Sequence, residues 1–383
     1  MPYRVNQLYL GGRRAYNKAM KLIACCYGTR PEFIKIAPVV LALRKYSNLR
    51  TVLVCSGQHR ELLEGIGEDF GLKPDIELNI RKSIGNTDNL SELTSSLLLE
   101  FSKIFIKLKP DGVIVQGDAA SAAFAAIAAF HQQLPVYYIE AGLRTYDLFQ
   151  PFPEEGYRQM ISRISSVLFC PTDIDKKNLL NEGIPGNKVY VVGNTVVDAL
   201  NIILASKGPA LPWQGRALTD KKIVITLHRR ENWGVPLKRI LSSLKKIRDN
   251  NRSYKFIVSV HPNPIVKNVV ESYLKDEQGF ELITPPNYRK FISMLGQSYG
   301  VITDSGGIQE EAPSLKIPCL VVREKTERTA GLATDWSMLA GTEEKRIFSG
   351  FAWLKDWKIP KGHNPYGDGK SALRIAKIIY EQI

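Results

Sequence analysis

Residues 301–313 read Val-Ile-Thr-Asp-Ser-Gly-Gly-Ile-Gln-Glu-Glu-Ala-Pro, and this stretch predicts a strand, a polar turn and a helix in succession. The apolar run from Tyr299 to Ile302 favours a strand. We expect the helix to begin at Ile308, after the polar turn and two glycines. A strand that enters a helix through a short turn is the repeating unit of a parallel α/β sheet.

The turn of this segment has the composition of an anion site. Free backbone N–H groups and the helix dipole favour negative charge at a helix start. Gly306 and Gly307 have no Cβ to block an approaching phosphate. Glu311 lies one turn further along and could bind a pair of sugar hydroxyls. The segment predicts a nucleotide site, with an ordinary strand–turn–helix corner packed on glycines as the alternative.

The same succession of apolar strand and helix recurs along the chain. Six apolar runs precede Asn194 and five follow it, with helical stretches at 34–45, 120–131 and 236–248 among the connections. Such alternation is typical of parallel sheets covered by helices on both faces. We therefore expect an α/β protein with two doubly wound, Rossmann-like domains that face a cleft. The predicted strands are 22–26, 51–56, 112–115, 136–139, 167–170, 189–192, 223–226, 256–260, 282–283, 300–302 and 319–322.

Length and composition suggest the domain boundaries. The 383 residues are enough for two to three domains at ~150 residues each. The Pro- and Gly-containing segment 205–215 predicts a linker. We place an N-terminal domain at 1–200, with 1–21 as an extension of no assigned role, and a C-terminal domain with the predicted nucleotide site at 201–365. Residues 366–383 contain a last helix.

Charge and cysteine usage narrow the class of protein. The net charge is +14, yet no basic–aromatic module for nucleic acid is present, so a solvated surface that attracts an anionic small substrate accounts for it. The Ala-rich run 119–130 is too short to cross a membrane. Five cysteines lack metal-ligand spacing and predict buried thiols in a reducing cytoplasm. No G-x-G-x-x-G motif follows a strand, so we expect no dinucleotide cofactor. The histidines and carboxylates lack metal-ligand spacing such as H-E-x-x-H, so we expect no catalytic metal.

Polar side chains gather where the predicted strands end. Three of the five histidines occupy this position. Because an unpartnered charge is costly to bury, the set predicts a polar, reactive cleft at the carboxyl ends of the strands. Glu154 alone would fit equally well as an acidic residue in the first turn of a helix. The residues are Arg30, Lys35, His59, Asp118, Glu140, Arg144, Glu154, His228 and His261.

Seven motifs then stand in an order that resembles one enzyme family, the non-hydrolysing UDP-N-acetylglucosamine 2-epimerases of bacterial surface-polysaccharide synthesis. The resemblance runs from about Leu22 to the C-terminus. The motifs are Gly28-Thr-Arg-Pro-Glu32, Gln58-His-Arg-Glu61, Glu140-Ala-Gly-Leu-Arg-Thr145, Pro151-Phe-Pro-Glu-Glu155, His228-Arg-Arg-Glu-Asn-Trp-Gly234, Thr303-Asp-Ser-Gly-Gly-Ile-Gln-Glu-Glu-Ala-Pro313 and Asn364-Pro-Tyr-Gly-Asp-Gly369.

The resemblance implies a fold like the B-type glycosyltransferases, with the last helix crossing back to the N-terminal domain. It also implies a homodimer that converts UDP-GlcNAc reversibly to UDP-ManNAc, by elimination of UDP to 2-acetamidoglucal and re-addition. The enzyme would supply ManNAc units for cell-surface polysaccharide and would need no cofactor.

The resemblance also implies residue roles. The diphosphate would lie on Ser305, Gly306 and Gly307. Glu311 would hold the ribose and Phe291 would lie against the uracil, while Arg30 adds positive charge from the other domain. We also expect Lys35, His59, Arg144 and Arg328 to contact the substrate. Asp118, Glu140, Glu154 and His228 fall on the catalytic positions. Gln58 and His261 would take part where a second UDP-GlcNAc activates the enzyme.

Two departures from the family pattern leave alternatives open. Asp118 is followed by Ala119-Ala120 in place of two threonines, and Arg328 by Thr329-Ala330 in place of Pro-Glu. Both lie near the expected sugar. The alternatives are a 2-epimerase of a modified sugar such as a diacetamido uronic acid, a hydrolysing epimerase, a glycosyltransferase, and a non-catalytic binding protein for a nucleotide sugar or nucleic acid.

Overall fold

The computed structural model describes residues 20–57, 67–78, 80, 89–205 and 221–383. The chain forms two compact units. The first runs to Ile202 and includes Gly367–Ile383, and the second spans Ile203–Tyr366. The predicted substrate residue His59, the predicted regulatory residue Gln58 and most of the predicted linker lie outside the described residues.

The first unit contains a seven-stranded sheet in which all neighbouring strands are parallel, in the order β3-β2-β1-β4-β5-β6-β7. Buried apolar residues fill the central strands, as expected for a sheet covered on both faces. The strands are β1 (Lys21–Tyr27), β2 (Leu49–Cys55), β3 (Ile76–Glu77), β4 (Gly112–Gln116), β5 (Val136–Ile139), β6 (Val167–Cys170) and β7 (Val189–Val191).

Helices connect these strands and cover the sheet. The Ala-rich segment forms a helix whose small side chains are almost all buried, so that it packs closely on its neighbours. Among the described residues, no helix is both long and apolar enough to cross a membrane. The helices are α1 (Arg30–Leu43), α2 (Leu90–Leu108), α3 (Ala120–His131), α4 (Glu154–Ile164), α5 (Asp173–Asn181) and α6 (Thr195–Ala205).

The last helix, α13 (Ser371–Gln382), belongs to the first unit. Its first backbone N–H groups, those of Ser371 and Ala372, donate to the carboxylate of Asp198 at 3.2 and 3.0 Å. This carboxylate satisfies donors that a helix start leaves without intrahelical partners. Near the other end, the rings of Tyr380 and Tyr46 stack with centroids 4.2 Å apart. The chain therefore returns to its first unit after completing the second.

The second unit contains a six-stranded parallel sheet in the order β10-β9-β8-β11-β12-β13. Its strands are β8 (Lys221–Leu227), β9 (Tyr254–Val260), β10 (Phe280–Ile283), β11 (Gly300–Thr303), β12 (Cys319–Val321) and β13 (Ser337–Leu339). Its helices are α7 (Val235–Asn250), α8 (Pro264–Leu274), α9 (Tyr288–Gly296), α10 (Gly306–Glu311), α11 (Thr329–Ala333) and α12 (Glu344–Asp356).

The two parallel sheets confirm the predicted α/β class. Each of the eleven predicted strands corresponds to an observed strand, whereas β3 and β13 were not predicted. Both are edge strands of two and three residues, too short for a periodic pattern. Some boundaries differ: α1 begins at Arg30 rather than at residue 34, and α10 begins at Gly306 rather than Ile308, with Ser305 at its N-cap position.

Candidate active site

Three neighbouring strands of the first unit, β1, β4 and β5, end where the predicted site residues lie. After β1 the chain turns into α1 through a capping box. The Glu32 carboxylate accepts the backbone N–H of Gly28 at 3.0 Å and of Thr29 at 2.7 Å, and the Ser121 hydroxyl donates to it at 2.7 Å. Burial raises the pKa of Glu32 to about 7, although these hydrogen bonds oppose the shift. Glu32 therefore fixes the turn that presents Arg30.

Glu140 follows β5 and is held in a buried ion pair. The ammonium of Lys35 donates to Glu140 Oε2 at 2.6 Å, and the two side chains are only 5% and 3% exposed. The side-chain amide of Gln116, the last residue of β4, donates to the same oxygen. Glu140 has a φ of 67°, a left-handed conformation that is uncommon outside glycine. The ammonium of Lys35, which we predicted to contact the substrate, thus binds Glu140.

Asp118 is held by a buried arginine on α4. The guanidinium of Arg158 donates through Nε to Asp118 at 2.8 Å and through Nη1 to Glu155 at 2.7 Å. Glu155 is fully buried and also accepts the backbone N–H of Thr145. Its neighbour Glu154, the predicted catalytic residue, is half-buried in the first turn of α4. The two adjacent glutamates therefore differ: Glu155 fixes Arg158, and Glu154 remains the candidate for chemistry.

Arg144, predicted to contact the substrate, is held by protein groups in the structure. Its buried guanidinium donates to both carboxylate oxygens of Glu182, at 2.7 and 3.0 Å. It also donates to the backbone carbonyl of Leu143 at 2.8 Å and to the hydroxyl of Ser162 at 2.9 Å. These bonds engage all three guanidinium nitrogens, so the structure favours a role in anchoring the segment after β5 over a contact with substrate.

In the second unit, β8, β11 and β12 are neighbours and end at a polar edge. The fully buried Asp304, just after β11, accepts the backbone N–H groups of His228 and Arg229 at 3.0 Å and the amide of Asn232 at 3.0 Å. The imidazole of His228 lies with Nε2 3.9 Å from Asp304 Oδ1. Burial lowers the pKa of His228 to about 4, against the opposing effect of the Asp304 carboxylate.

His261, predicted to have a regulatory role, lies beside this histidine. It follows β9, the other neighbour of β8, and its ring centroid is 5.9 Å from that of His228. Nδ1 of His261 accepts the backbone N–H of Asn263 at 3.2 Å, and burial lowers its pKa. Because Nδ1 accepts, a neutral His261 carries its proton on Nε2.

The predicted anion site is the short helix α10. A Cβ at Gly306 would lie 2.8 Å from Cζ of Arg328, so a larger residue here would have to displace the guanidinium packed on it. A Cβ at Gly307 would meet only the hydroxyl of Ser305, at 4.0 Å. A side chain at Gly307 would therefore have space, whereas the missing side chain of Gly306 makes room for Arg328.

Arg328 belongs to a network of buried ion pairs that begins at α10. Its Nε contacts Glu310 at 3.0 Å, and Nη1 contacts Glu327. Glu327 is shared with Arg323, whose Nη1 lies 3.1 Å from it and whose Nε lies 2.9 Å from Glu231. This network of ion pairs links α10 to the loop after β8. Charges that are buried but mutually paired in this way hold segments in register.

The predicted nucleoside contacts lie on α9 and α10. The hydroxyl of Tyr288 donates to the buried carboxylate of Glu311 at 2.8 Å. Phe291 is half-buried, one turn along α9 from Tyr288. The arrangement fixes the carboxylate predicted to bind ribose hydroxyls and places an aromatic ring on the adjoining helix.

Gln116, Arg158 and Asp304 were missed among the site residues, and each touches a predicted one. Gln116 and Asp304 stand at the ends of β4 and β11, so the strand-end pattern could have found them if it had been applied to every polar residue. Arg158 stands three residues after Glu155 on α4, the spacing of a helical ion pair. Among the described residues, no group of three or more His, Cys, Asp or Glu side chains could hold a metal ion.

Comparison with known proteins settles the family. The family model of UDP-N-acetylglucosamine 2-epimerase matches residues 41–380. The chain belongs to this family. It is 38% identical to the UDP-N-acetylglucosamine 2-epimerase of Bacillus subtilis over 356 residues, covering 92% of this chain and 93% of that protein. It is also 38% identical to the enzyme of Neisseria meningitidis serogroup A over 369 residues, covering 93% and 97%. The family predicted from the seven motifs is confirmed.

Solved structures of the epimerase family confirm the fold. The UDP-GlcNAc 2-epimerase of Neisseria meningitidis bound to UDP-GlcNAc superposes with a TM-score of 0.88 at 37% identity, covering 94% of this chain and all of that one. The Methanocaldococcus jannaschii enzyme in complex with UDP-GlcNAc and UDP gives 0.84 at 34% identity, covering 94% and 100%. A glycosyltransferase of kitacinnamycin, at 10% identity, shares the fold alone with a TM-score of 0.60. The B-type glycosyltransferase fold predicted for this epimerase is thus confirmed.

Proposed function

We propose that the chain interconverts UDP-GlcNAc and UDP-ManNAc by epimerisation at C2, without net hydrolysis. The observation that carries this proposal is the buried Glu140, one oxygen of which accepts hydrogen bonds from Lys35 and Gln116. This arrangement occurs in a member of the UDP-N-acetylglucosamine 2-epimerase family. A protein that only binds a nucleotide sugar has no need of a carboxylate whose burial is costly in free energy. A carboxylate in a fixed place is what proton transfer from carbon requires.

The chemistry follows from the weak acidity of the C2 proton. In the proposed reaction a carboxylate takes this proton, the C2–H electron pair forms the C1=C2 double bond, and the C1–O electrons leave with UDP. The products of this step are 2-acetamidoglucal and UDP. Return of a proton to the opposite face of C2, with UDP adding back to C1, gives the epimer. Two faces need two proton-handling groups, which suits a set drawn from Asp118, Glu140, Glu154 and His228.

The proposal assigns the UDP part of the substrate to the second unit. Ser305 and the backbone at Gly306 and Gly307 would bind the diphosphate, and Glu311 would bind the ribose beside Phe291. Cationic groups stabilise the negative charge that grows on a departing diphosphate. Arg328, packed on Gly306, and Arg30, at the start of α1, are the proposed sources of that charge. The roles of Gln58 and His59 stay predictions.

Proton NMR in D2O tests the proposed function. Incubation of UDP-GlcNAc with the protein should replace the C2 proton by deuterium while UDP-ManNAc appears. Free ManNAc would indicate a hydrolysing epimerase, and turnover restricted to a uronic acid derivative would indicate the modified-sugar alternative. No exchange under conditions where UDP binds would overturn the assignment as an enzyme.

A matched pair of variants assigns the proton transfer. Glu140→Gln keeps the size of the side chain but removes the base, and should lower exchange at C2 by about 10²- to 10⁴-fold. Glu100→Gln makes the same change on α2, where the side chain pairs with Lys103 at the surface, and should leave the rate unchanged. Equal rates for the two variants would exclude Glu140 from the chemistry.

We also propose that the enzyme works as a homodimer in the cytoplasm and supplies ManNAc units for cell-surface polysaccharide. All five cysteines are buried and free, which suits a reducing compartment. Sedimentation equilibrium tests the dimer, since a species of twice the 43.0 kDa chain mass is expected and a single-chain mass would contradict it.

A further inference from the structure

The side chain of Asp304 connects the loop after β8 to the end of β11, where the proposed UDP-binding segment, residues 305–311, begins. Asp304 is 0% exposed. Its two oxygens accept the backbone N–H of His228 at 3.0 and 3.1 Å, and Oδ2 also accepts the N–H of Arg229. The next residue, Ser305, is the N-cap of α10.

Asn232 completes this arrangement. Its amide donates to Asp304 Oδ2 at 3.0 Å and to the backbone carbonyl of Val322 at 3.0 Å. Val322 follows β12, so the loop is fastened to the ends of two strands at once. A buried carboxylate without donors is strongly disfavoured, and in the observed loop conformation these donors satisfy it.

The geometry points to Asp304 as a positioning residue that sets the place of the His228 imidazole relative to the UDP-binding segment. This inference rests on the proposed function, which gives His228 a part in the reaction. The carboxylate acts on the imidazole in two ways. It fixes the main chain from which the ring projects, and it lies 3.9 Å from Nε2, close enough to stabilise positive charge on the ring during turnover.

Asp304→Asn tests this role. The variant keeps the shape of the side chain but replaces one accepting oxygen by an NH2 group, which cannot accept the backbone N–H groups that it faces. We expect kcat to fall by about 10- to 100-fold with KM and the Kd for UDP within about threefold, the signature of a lost reaction-step interaction. Asp335→Asn is the matched control. Asp335 is exposed and accepts the indole N–H of Trp353 at 3.0 Å, away from the loop, so kcat should not change.

A double-variant cycle separates positioning from general damage. If Asp304 acts through His228, Asp304→Asn in a His228→Asn background should change kcat by less than about threefold, since neighbours that work as a unit are not additive. The same fold-loss in both backgrounds, or a higher KM with unchanged kcat, would overturn the inference.

Asn232→Ala provides a second route if Asp304→Asn does not fold. It removes one donor to Asp304 and should lower kcat by about 3- to 10-fold, again only when His228 is present. An equal loss without His228 would overturn the role of Asp304. This differs from a failure of the proposed function, in which the unmodified protein itself leaves UDP-GlcNAc unchanged.

Discussion

Removal of the Lys35 ammonium should destabilise the first unit, because Lys35 and Glu140 form an ion pair with both side chains at least 95% buried. Loss of one partner from a buried pair typically costs about 3–5 kcal/mol, since the other charge stays in a poor solvent. Gln116 still donates to Glu140 in Lys35→Met, so we expect about 3 kcal/mol. Methionine keeps an unbranched apolar side chain that ends one atom short of the ammonium, so it removes the charge and its donors.

Urea unfolding followed by two probes measures this effect in the correct unit. All five tryptophans come after Ile203, in the second unit, so indole fluorescence reports that unit while far-UV circular dichroism reports both. Lys35→Met should shift a circular dichroism transition to lower urea and leave the fluorescence transition in place. Lys35→Met with Glu140→Gln should recover more than half of the loss, because a neutral amide needs no cation. A loss below about 1 kcal/mol, or no recovery in the double variant, would refute the reasoning.

Three further predictions concern titration and packing. Burial raises the Glu32 pKa to about 7 from its ordinary 4.5, so the contribution of Glu32 to the free energy of unfolding is fully present below pH 4.5 and is lost as pH rises through 7. Glu32→Gln should therefore remove the fall of the unfolding free energy with pH, measured from pH 5 to 8. An unchanged pH dependence would assign it to other groups. With a His228 pKa of about 4, ¹⁵N NMR of the UDP-free protein should show a neutral imidazole at pH 6, and titration near 6.5 would contradict the burial argument. Gly28→Ala should lower the free energy of unfolding in urea by about 1–3 kcal/mol, because the new Cβ would lie 2.7 Å from the Cβ of Ser121. The control is Gly156→Ala on α4, whose Cβ would meet nothing within 4 Å and which should not destabilise. Equal effects of the two variants would contradict this packing argument.

The sheets were predictable because apolar strands and crossover helices have strong local patterns. The edge strands β3 and β13 were not, since two or three residues show no periodicity. The length of such a strand is set by its neighbour, with which it pairs through the backbone. Which strands are adjacent is likewise a property of the folded chain, and the sequence does not show that β1, β4 and β5 end side by side.

The polar residues of the site could be found from their positions, but their partners could not. Lys35 and Glu140 are 105 positions apart in the chain, so only the fold shows that the ammonium binds a carboxylate. Arg144 lies in a recognised motif, yet its donors are used by Glu182 and Ser162. Gly306 was assigned to a ligand, and the fold shows in addition that its missing side chain makes room for Arg328. These differences arise from long-range contacts, on which local sequence patterns carry no information.

The central claim is that the bond between C1 and UDP breaks and re-forms while C2 exchanges its proton. UDP-GlcNAc labelled with ¹⁸O in the bridge between C1 and the β-phosphate tests it directly, with ³¹P NMR of the recovered nucleotide sugars. The account predicts that the label spreads from the bridge to the non-bridging β-phosphate oxygens as UDP-ManNAc forms. Deuterium entry at C2 with the label retained in the bridge would contradict it, because epimerisation would then proceed without release of UDP.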